Sequence, residues 1–303
     1  MDDTKLQLGI EAGEVLLKVA LYDPCERKVV KTAILDMETN PLDDVSSFEA
    51  TLQSWLSANG DVQVESVALT VPSFRSIVRE LFVPPEAGNV REYVEWYLGT
   101  LVNTNVNEYV LDFVELRGSA ELGRTVLMIA LRKAWVNSIR KGFRNKRIAP
   151  KILETDVLSV MNLLEAGCGL GSEVKCVVKA DVAGVMLLWA AKDDLKALRC
   201  VSTFDLAGKA REEAYSELAE NIRRQVESVA ELNGVSVTSY SLCGELASDI
   251  LFVEHLKESL GNSPVLPLDS FADIRLPVEE ESALHVLSCV GAIGAALRSV
   301  KHD

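Results

Sequence analysis

The sequence places a carboxylate beside a glycine turn within strand-like segments, and a lysine follows. Glu11 stands two residues before Gly13, and Lys18 lies on the next strand-like run. A carboxylate at such a turn could hold a metal ion and bring a phosphate near backbone N–H groups, while the lysine could neutralise phosphate charge. An ordinary β-hairpin with a surface glutamate and lysine accounts for the same residues.

A second carboxylate–turn pair occurs later in the chain, where Asp181 precedes Gly184. A carboxylate inside an otherwise apolar strand pair is unusual if it is buried without a partner, although an exposed strand end would explain it. Gly244 follows Cys243 between a predicted strand and a predicted helix. Such turns bind phosphate or adenosine in many folds, but they also simply reverse the chain.

The sequence has no recognisable arrangement for nucleophilic catalysis or for a metal site. The GxSxG motif is absent, and the three histidines lie in or beyond the last two predicted helices. We therefore predict no catalytic residue and no metal ligand. The six cysteines include no CxxC pair, and we expect them to be reduced, mostly buried hydrophobic residues of a cytoplasmic protein. They are Cys25, Cys168, Cys176, Cys200, Cys243 and Cys289.

The composition describes a globular, acidic chain. It has 303 residues, of which 48% are hydrophobic, and 31 basic against 45 acidic residues give a net charge of −14. General nucleic-acid binding is disfavoured because it needs a basic footprint. The longest apolar runs are too short to span a bilayer, and the start of the chain does not resemble a signal peptide.

One segment reverses the charge of the rest. Residues 132–151 contain eight basic and no acidic residues, and without them 23 basic residues face 45 acidic ones. We predict a helix over 134–146 within it. A basic helix on an acidic protein could dock an acidic partner or anionic lipid headgroups, with Arg140, Lys141 and Arg144 at its centre. Alternatively, these charges are solvated and paired with acidic neighbours.

Hydrophobic periodicity predicts a repeated α/β unit. Each half is predicted as three strands, a helix, a strand and a helix, and the first half carries an additional module. We predict a first half over 1–155, with an inserted subdomain at about 75–155, and a second half over 156–303. We also predict a strand over 235–242 and a closing helix over about 284–300. A duplicated architecture with a cleft between its halves is the economical interpretation.

Several stretches, taken in order, resemble the PilM family of type IV pilus assembly proteins, which are actin-like relatives of FtsA. The resemblance extends over most of the chain and depends on the ordered set rather than on one motif. The matching stretches include 8–13 (LGIEAG) with Lys18, 68–72, 108–114, 126–133, 150–156, 220–226 (ENIRRQV) and 290–298 (VGAIGAALR).

The resemblance implies an actin-like, ribonuclease H-like duplicated fold with ATP and Mg²⁺ in the cleft. It also implies a cytoplasmic scaffold, peripheral at the inner membrane, that captures a PilN-like tail in a groove involving the inserted subdomain. The phosphate-loop carboxylates of the family map to Glu11 and Asp181, and its phosphate-loop lysine maps to Lys18. Gly13 maps to the first-loop glycine, and Gly244 to the adenosine side of the pocket.

The sequence departs from the family pattern where phosphate would lie. Glu11 replaces an aspartate, Glu14 adds a carboxylate that should repel a triphosphate, and Ala183 and Cys243 replace glycines. The short link between residues 201 and 209 also predicts a truncated outer subdomain in the second half. The leading hypothesis is therefore a type IV pilus scaffold with weak or lost ATP binding. The alternatives are an ATP-binding PilM-type protein, a small-molecule kinase of the same superfold, and an actin-like component of type II secretion.

Overall fold

The computed structural model describes residues 5–60, 62–144, 146–167, 170–192, 194–261 and 263–298. Cys168 lies outside these ranges. So do residues 1–4, where the predicted first half begins, and residues 299–303, which include the end of the predicted closing helix. The first part of the chain forms β1 (Leu6–Ala12), β2 (Leu16–Asp23), β3 (Lys28–Asp36), α1 (Val45–Ala58), β4 (Val64–Val71), β5 (Ile77–Val83), α2 (Val90–Leu101), β6 (Tyr109–Ser119), β7 (Gly123–Arg132), α3 (Lys133–Gly142) and β8 (Ile152–Thr155). The remainder forms α4 (Asp156–Ala166), β9 (Lys175–Asp181), β10 (Gly184–Ala191), β11 (Asp194–Ser202), α5 (Arg211–Asn233), β12 (Tyr240–Cys243), α6 (Ile250–Ser259), β13 (Val265–Pro267), α7 (Glu280–His285) and α8 (Val290–Leu297).

Two five-stranded sheets repeat one topology. The first has the order β3-β2-β1-β4-β8 and the second has the order β11-β10-β9-β12-β13. In each, an antiparallel meander of three strands is followed by two strands parallel to the first strand of the meander. The identical order supports the duplication that the sequence pattern predicts.

The sheets and helices stack in layers, with one helix pair between the two sheets. Helices α1 and α3 cover the outer face of the first sheet, and α5 and α6 cover the outer face of the second. Helices α4 and α8 share a core with both sheets, which joins the two halves through apolar burial. The two sheets are therefore held together by packing as well as by the cleft contacts described below.

The inserted module is a third sheet, of order β5-β7-β6, with α2 packed on one face. Its opposite face contributes residues of β5 and β7 to the central core, so it is attached to the body rather than hanging free. In the second half, only residues 203–210 link β11 to α5. This short link agrees with the truncated outer subdomain expected there.

Helix α8 approaches its neighbours closely because small residues line it. A Cβ atom on Gly9 of β1 would lie 1.8 Å from the Ala292 carbonyl oxygen, and one on Gly294 would lie 1.8 Å from the Ser159 carbonyl oxygen. Neither position has room for any side chain. The glycines therefore set the distance of α8 from β1 on one side and from α4 on the other.

Two predicted elements are shorter in the structure than the sequence indicated, and a third, described below, is divided. The predicted helix over 134–146 is helical only to Gly142. The strand predicted over 235–242 begins at Tyr240, because its partners β9 and β13 pair only with residues 240–243.

The predicted closing helix over 284–300 is instead divided into α7 and α8 by a turn at 286–289. The Leu287 carbonyl accepts a hydrogen bond from the Gly244 N–H at 2.9 Å. That contact takes the Leu287 carbonyl away from a continuous helical ladder. Among the described residues, no helix combines the length and apolarity needed to cross a bilayer.

Candidate functional site

The carboxyl ends of the parallel strands of both sheets meet at one cleft, as expected for open α/β sheets. Glu11 lies near the end of β1, Asp156 directly follows β8, Asp181 ends β9, and Glu245 comes two residues after β12. The β1–β2 register places Glu11 opposite Lys18, so the two side chains share one face of the hairpin. Four carboxylates and a lysine thus converge from elements far apart in sequence.

A second lysine completes the cluster. Lys179 lies on β9 two positions before Asp181, so period-2 alternation puts both side chains on the same face of the strand. Lys18 and Lys179 are both 1% exposed. We call this set the cleft network: Glu11, Lys18, Asp156, Lys179, Asp181 and Glu245.

Lys18 bridges the two halves of the molecule. Its Nζ lies 2.7 Å from Asp181 Oδ1 and 3.0 Å from Glu245 Oε1, both in the second half. It also lies 3.6 Å from Oε1 of Glu11 in the first half. All three of these charge contacts are with carboxylates of the protein itself.

Lys179 makes the reciprocal bridge. Its Nζ lies 2.6 Å from Glu11 Oε1 and 3.4 Å from Asp156 Oδ2, and it also pairs with Asp181 Oδ2. Asp156 is fixed on its other side, where Oδ1 accepts a hydrogen bond of 2.8 Å from the Ser73 N–H. Each lysine thus connects carboxylates of both halves.

Burial and charge shift the protonation equilibria in opposite directions. Burial alone would raise the pKa of Asp181, but the adjacent ammonium groups of Lys179 and Lys18 hold that pKa well below its ordinary range. Burial raises the pKa of Glu11 and of Asp156, because the nearby lysines only partly offset the desolvation of those carboxylates. Burial alone would lower the pKa of Lys18 and Lys179, but the surrounding carboxylates raise both above the usual lysine value. Asp181 is the carboxylate of the network that contacts Lys18 and Lys179 through one oxygen each.

The backbone N–H groups at the cleft are also engaged. The Val182 N–H donates to Glu245 Oε2 at 3.0 Å, and the Glu245 N–H donates to Asp181 Oδ1 at 3.0 Å. The Gly13 N–H donates to the Leu16 carbonyl at 2.9 Å. Glu245 therefore folds back over the turn after β9 and takes the N–H that an anion would use there.

Beside the network lies a cavity of about 1070 Å³ between the halves. Glu14 lies at its rim, where Arg75 pairs with it, so the negative charge of Glu14 is offset. The remaining wall is largely apolar. It includes Val15, Leu16, Pro72, Phe74, Val182, Ala183, Leu206, Tyr215, Leu218 and Leu246.

The predicted site residues do not all meet at this cavity. Glu11, Gly13, Lys18 and Asp181 line it, but Gly184 and Gly244 are not among the residues around it. A Cβ on Gly184 would lie 2.9 Å from the Phe74 ring, and Gly244, at φ +93°, rests against the backbone of Ala180. These two glycines serve close packing. Neither contributes a surface to the cavity.

Sequence reasoning missed Lys179, Asp156 and Glu245. Lys179 interrupts an apolar run together with Asp181, two positions away, which is the spacing for side chains on one strand face. This spacing in the sequence was therefore enough to indicate that Lys179 lies beside Asp181. Asp156 and Glu245 belong to the site only because β8 and β12 end beside β1 and β9, which no local pattern reveals.

No protein-family model and no curated protein matches this sequence. Solved structures do match it. A chain of the PilM–PilN type IV pilus biogenesis complex has a TM-score of 0.74 at 18% identity, over 96% of this chain and 98% of that one. The cytoplasmic domain of EpsL, an inner membrane component of the type II secretion system of Vibrio cholerae, has a TM-score of 0.56 at 11% identity, over 97% and 95%. A protein of unknown function with an actin-like ATPase fold from Bacteroides thetaiotaomicron has a TM-score of 0.53 at 11% identity, over 88% and 93%.

The chain has an actin-like fold. The expectation of a duplicated actin-like α/β architecture is therefore confirmed. At these identities the likeness shows the fold alone, and the chemistry of the cleft depends on this chain's own residues.

The cleft network offers no unpaired cationic group to the phosphates of ATP. Both cationic groups of the network are enclosed by carboxylates, and four carboxylates face two lysines. Adding a triphosphate would add negative charge where negative groups already outnumber positive ones. The Val182 and Gly13 N–H groups are occupied by Glu245 and Leu16.

The same groups do not form a separate metal site. Among the described residues, no group of three or more Asp, Glu, His or Cys side chains is arranged to hold a metal ion. Asp156 is 1% exposed and does not reach the cavity, so it is not presented to a substrate as a catalytic base would be. The network's evident chemistry is to attach the two halves of the fold to each other.

Proposed function

We propose that this chain is a scaffold of type IV pilus assembly, working at the cytoplasmic face of the inner membrane, whose actin-like cleft is held by its own ion pairs in place of a nucleotide. Its task is to hold a PilN-like membrane partner. The observation that carries the proposal is the likeness to a chain of the PilM–PilN complex, which extends over 96% of one chain and 98% of the other.

The cleft supports a structural role over an enzymatic one. A kinase of this fold needs a free base and a phosphate-binding surface. Here the strand-end carboxylates contact lysines or backbone N–H groups of the same chain. A protein that retains this fold and no longer binds a ligand in the cleft can still present its surfaces to partner proteins.

The inserted sheet offers a surface for a peptide partner. Val110 and Val114 of β6 are 39% and 45% exposed, which is unusual because their cross-strand neighbours Leu131 and Leu127 are buried in the cores of the body. Paired residues share a sheet face, so Val110 and Val114 lie on the face of the inserted sheet that is turned toward the body. Both side chains nevertheless remain accessible to solvent. β6 is also an edge strand of its sheet. We call Val110, Asp112 and Val114 the β6 strip.

We propose that the cytoplasmic tail of the PilN-like partner lies along the β6 strip. Apolar side chains of the tail would cover the two valines, and its backbone could pair with the free edge of β6. This mode matches the groove that the family resemblance implies at the inserted subdomain.

The test is a binding titration with a fluorescently labelled peptide carrying the cytoplasmic tail of the organism's own PilN-like protein. We expect saturable binding, and we expect Val110→Asp and Val114→Asp each to weaken it at least roughly tenfold, since each removes a buried apolar contact. Leu122→Asp is the matched control, because Leu122 is 79% exposed at the β6–β7 hairpin, away from the strip.

Each part of the proposal can fail separately. Absence of binding by the folded wild-type chain would remove the pilus scaffold function. Binding that tolerates both valine substitutions would retain the partner and remove the strip as its site. Preferential binding of a type II secretion partner would favour the EpsL-like alternative, although the fold likeness is weaker there.

A further inference from the structure

The basic segment of this acidic molecule is exposed, and we call its basic side chains together the cationic face. All eight of its basic side chains are exposed. They are Arg132, Lys133, Arg140, Lys141, Arg144, Lys146, Arg147 and Lys151. The face thus gathers about a quarter of the chain's 31 basic residues in 20 consecutive positions.

The positive charge of this face is largely not cancelled by the protein. Lys146 Nζ lies 3.1 Å from Glu49 Oε1, and Lys151 Nζ donates to the Glu65 backbone carbonyl at 3.4 Å. Within the described parts of the chain, the other six basic side chains make no ion pair with a carboxylate. The alternative interpretation, that acidic neighbours pair with these basic side chains, is therefore correct for Lys146. It does not describe the basic segment as a whole.

Helix α3 directs its apolar residues inward and its cations outward. Val136 and Ile139 are buried in the core of the first sheet, together with Phe143 just after the helix. Lys133 and Arg140 are seven positions apart, which is two helical turns, so they lie on one exposed side. Because the apolar face is already covered, α3 cannot insert into a bilayer as an amphipathic helix does.

The cationic face also lacks what a protein interface requires. Protein interfaces depend on a few large apolar or aromatic anchors that become buried at their centre. Over residues 132–144 and 146–151, no large hydrophobic side chain is exposed. Trp135 is half-buried, and its Nε1 donates to Asp43 Oδ1 at 3.2 Å. What remains is a surface of long, flexible cations.

We propose that this cationic face docks the protein directly onto anionic lipid headgroups. A headgroup layer offers many mobile negative charges and needs no apolar pocket, and each Lys or Arg near it adds an increment of attraction. The rest of the chain has 23 basic against 45 acidic residues, so its net negative charge is repelled by the same surface. Because the screening length in physiological salt is about 8 Å, the attraction prevails only when this face points at the membrane. The contact therefore sets orientation as well as location, and it does not depend on any partner protein.

The test is co-sedimentation of the full chain with vesicles of phosphatidylglycerol and phosphatidylcholine in equal parts, compared with vesicles of phosphatidylcholine alone. The variant reverses Arg140, Lys141 and Arg144 to Glu. The matched control reverses three exposed cations elsewhere, Lys192, Lys257 and Arg224, with the same change in net charge. Thermal unfolding confirms that both variants are folded.

We expect binding only to the phosphatidylglycerol vesicles, weakened by added salt and reduced roughly hundredfold or more by the reversal in the segment. The control should retain most of the binding. The inference is overturned if the wild-type chain ignores phosphatidylglycerol vesicles at low salt, or if the two triple variants lose binding equally. It is also overturned if the face captures polyglutamate but not the vesicles, which would identify an acidic protein as its partner.

Discussion

Lys18 and Asp181 join the two halves of the molecule although 163 positions separate them in the sequence, with Nζ 2.7 Å from Oδ1. Lys179 contacts Glu11 in the opposite sense, from the second half to the first. Both contacts cross the cleft between the two halves. Under the proposed function, the cleft network takes the place of a ligand there.

We predict that Asp181→Asn destabilises the fold by about 3–5 kcal/mol at neutral pH, because it leaves both buried lysines short of a counter-ion. Urea unfolding at constant ionic strength measures this. Asp36→Asn, at an exposed position, is the matched control and should have little effect. A loss below about 1 kcal/mol would contradict a central role for Asp181.

The pH dependence of that difference has a definite sign. Because the folded-state pKa of Asp181 lies below its unfolded value of about 3.9, its stabilisation is present at higher pH and is lost as the pH falls below that value. The gap in the free energy of unfolding between wild type and Asp181→Asn should therefore be steady from neutral pH to about pH 5 and shrink below pH 4. A gap that grows on acidification would show that the shift has the opposite direction.

We predict that millimolar Mg-ATP leaves the wild-type melting temperature unchanged. A live site at a hundred times its dissociation constant would stabilise the fold by about 2.7 kcal/mol and raise the midpoint by several degrees. Glu245→Gln removes the negative charge that contacts the Val182 N–H and Lys18. If anion binding can be recovered, we expect this variant to show it first. Glu86→Gln is the control, since Glu86 is exposed and does not line the cavity. A clear shift in the wild type would restore the ATP-binding alternative.

Two helical glycines should respond oppositely to alanine. At Gly294 an added Cβ would meet the Ser159 backbone oxygen, so we expect Gly294→Ala to destabilise the fold by about 1–3 kcal/mol or more. At Gly99 of α2 the nearest atom is a Val106 methyl at 3.4 Å, so Gly99→Ala should stabilise by about 0.5–1 kcal/mol. Chemical denaturation compares both with the wild type. Equal effects would contradict the close approach of α8 and α4.

The buried thiols should resist modification. Burial raises the pKa of Cys289 to about 12 and that of Cys243 still further, whereas Cys25 is exposed. In the native protein a thiol reagent should modify Cys25 quickly, and Cys25→Ser should remove one fast-reacting equivalent. Cys243 and Cys289 should react only on unfolding. Rapid loss of all thiols at neutral pH would show that the core opens readily.

The sequence alone was enough to predict a duplicated α/β fold, since hydrophobic periodicity and short turns are local properties. It also singled out Glu11, Lys18 and Asp181, because charged residues inside apolar strands stand out against their neighbours. It marked the basic segment for the same reason. The boundaries of the late elements were less accessible: the Gly244–Leu287 hydrogen bond that interrupts the last helical stretch joins residues 43 positions apart.

Only the tertiary structure decided whether those charged side chains are free to bind a ligand or are paired with one another. A lysine and a carboxylate in a sequence fit a phosphate site and a buried ion pair equally well, because local pattern carries no information on which charges meet. The packing of α4 and α8 between the sheets brings the ends of β1, β8, β9 and β12 together, and the electrostatics follow from that proximity. Exposure of the basic side chains was decided in the same way, by the burial of Val136 and Ile139 that turns the other side of α3 to solvent.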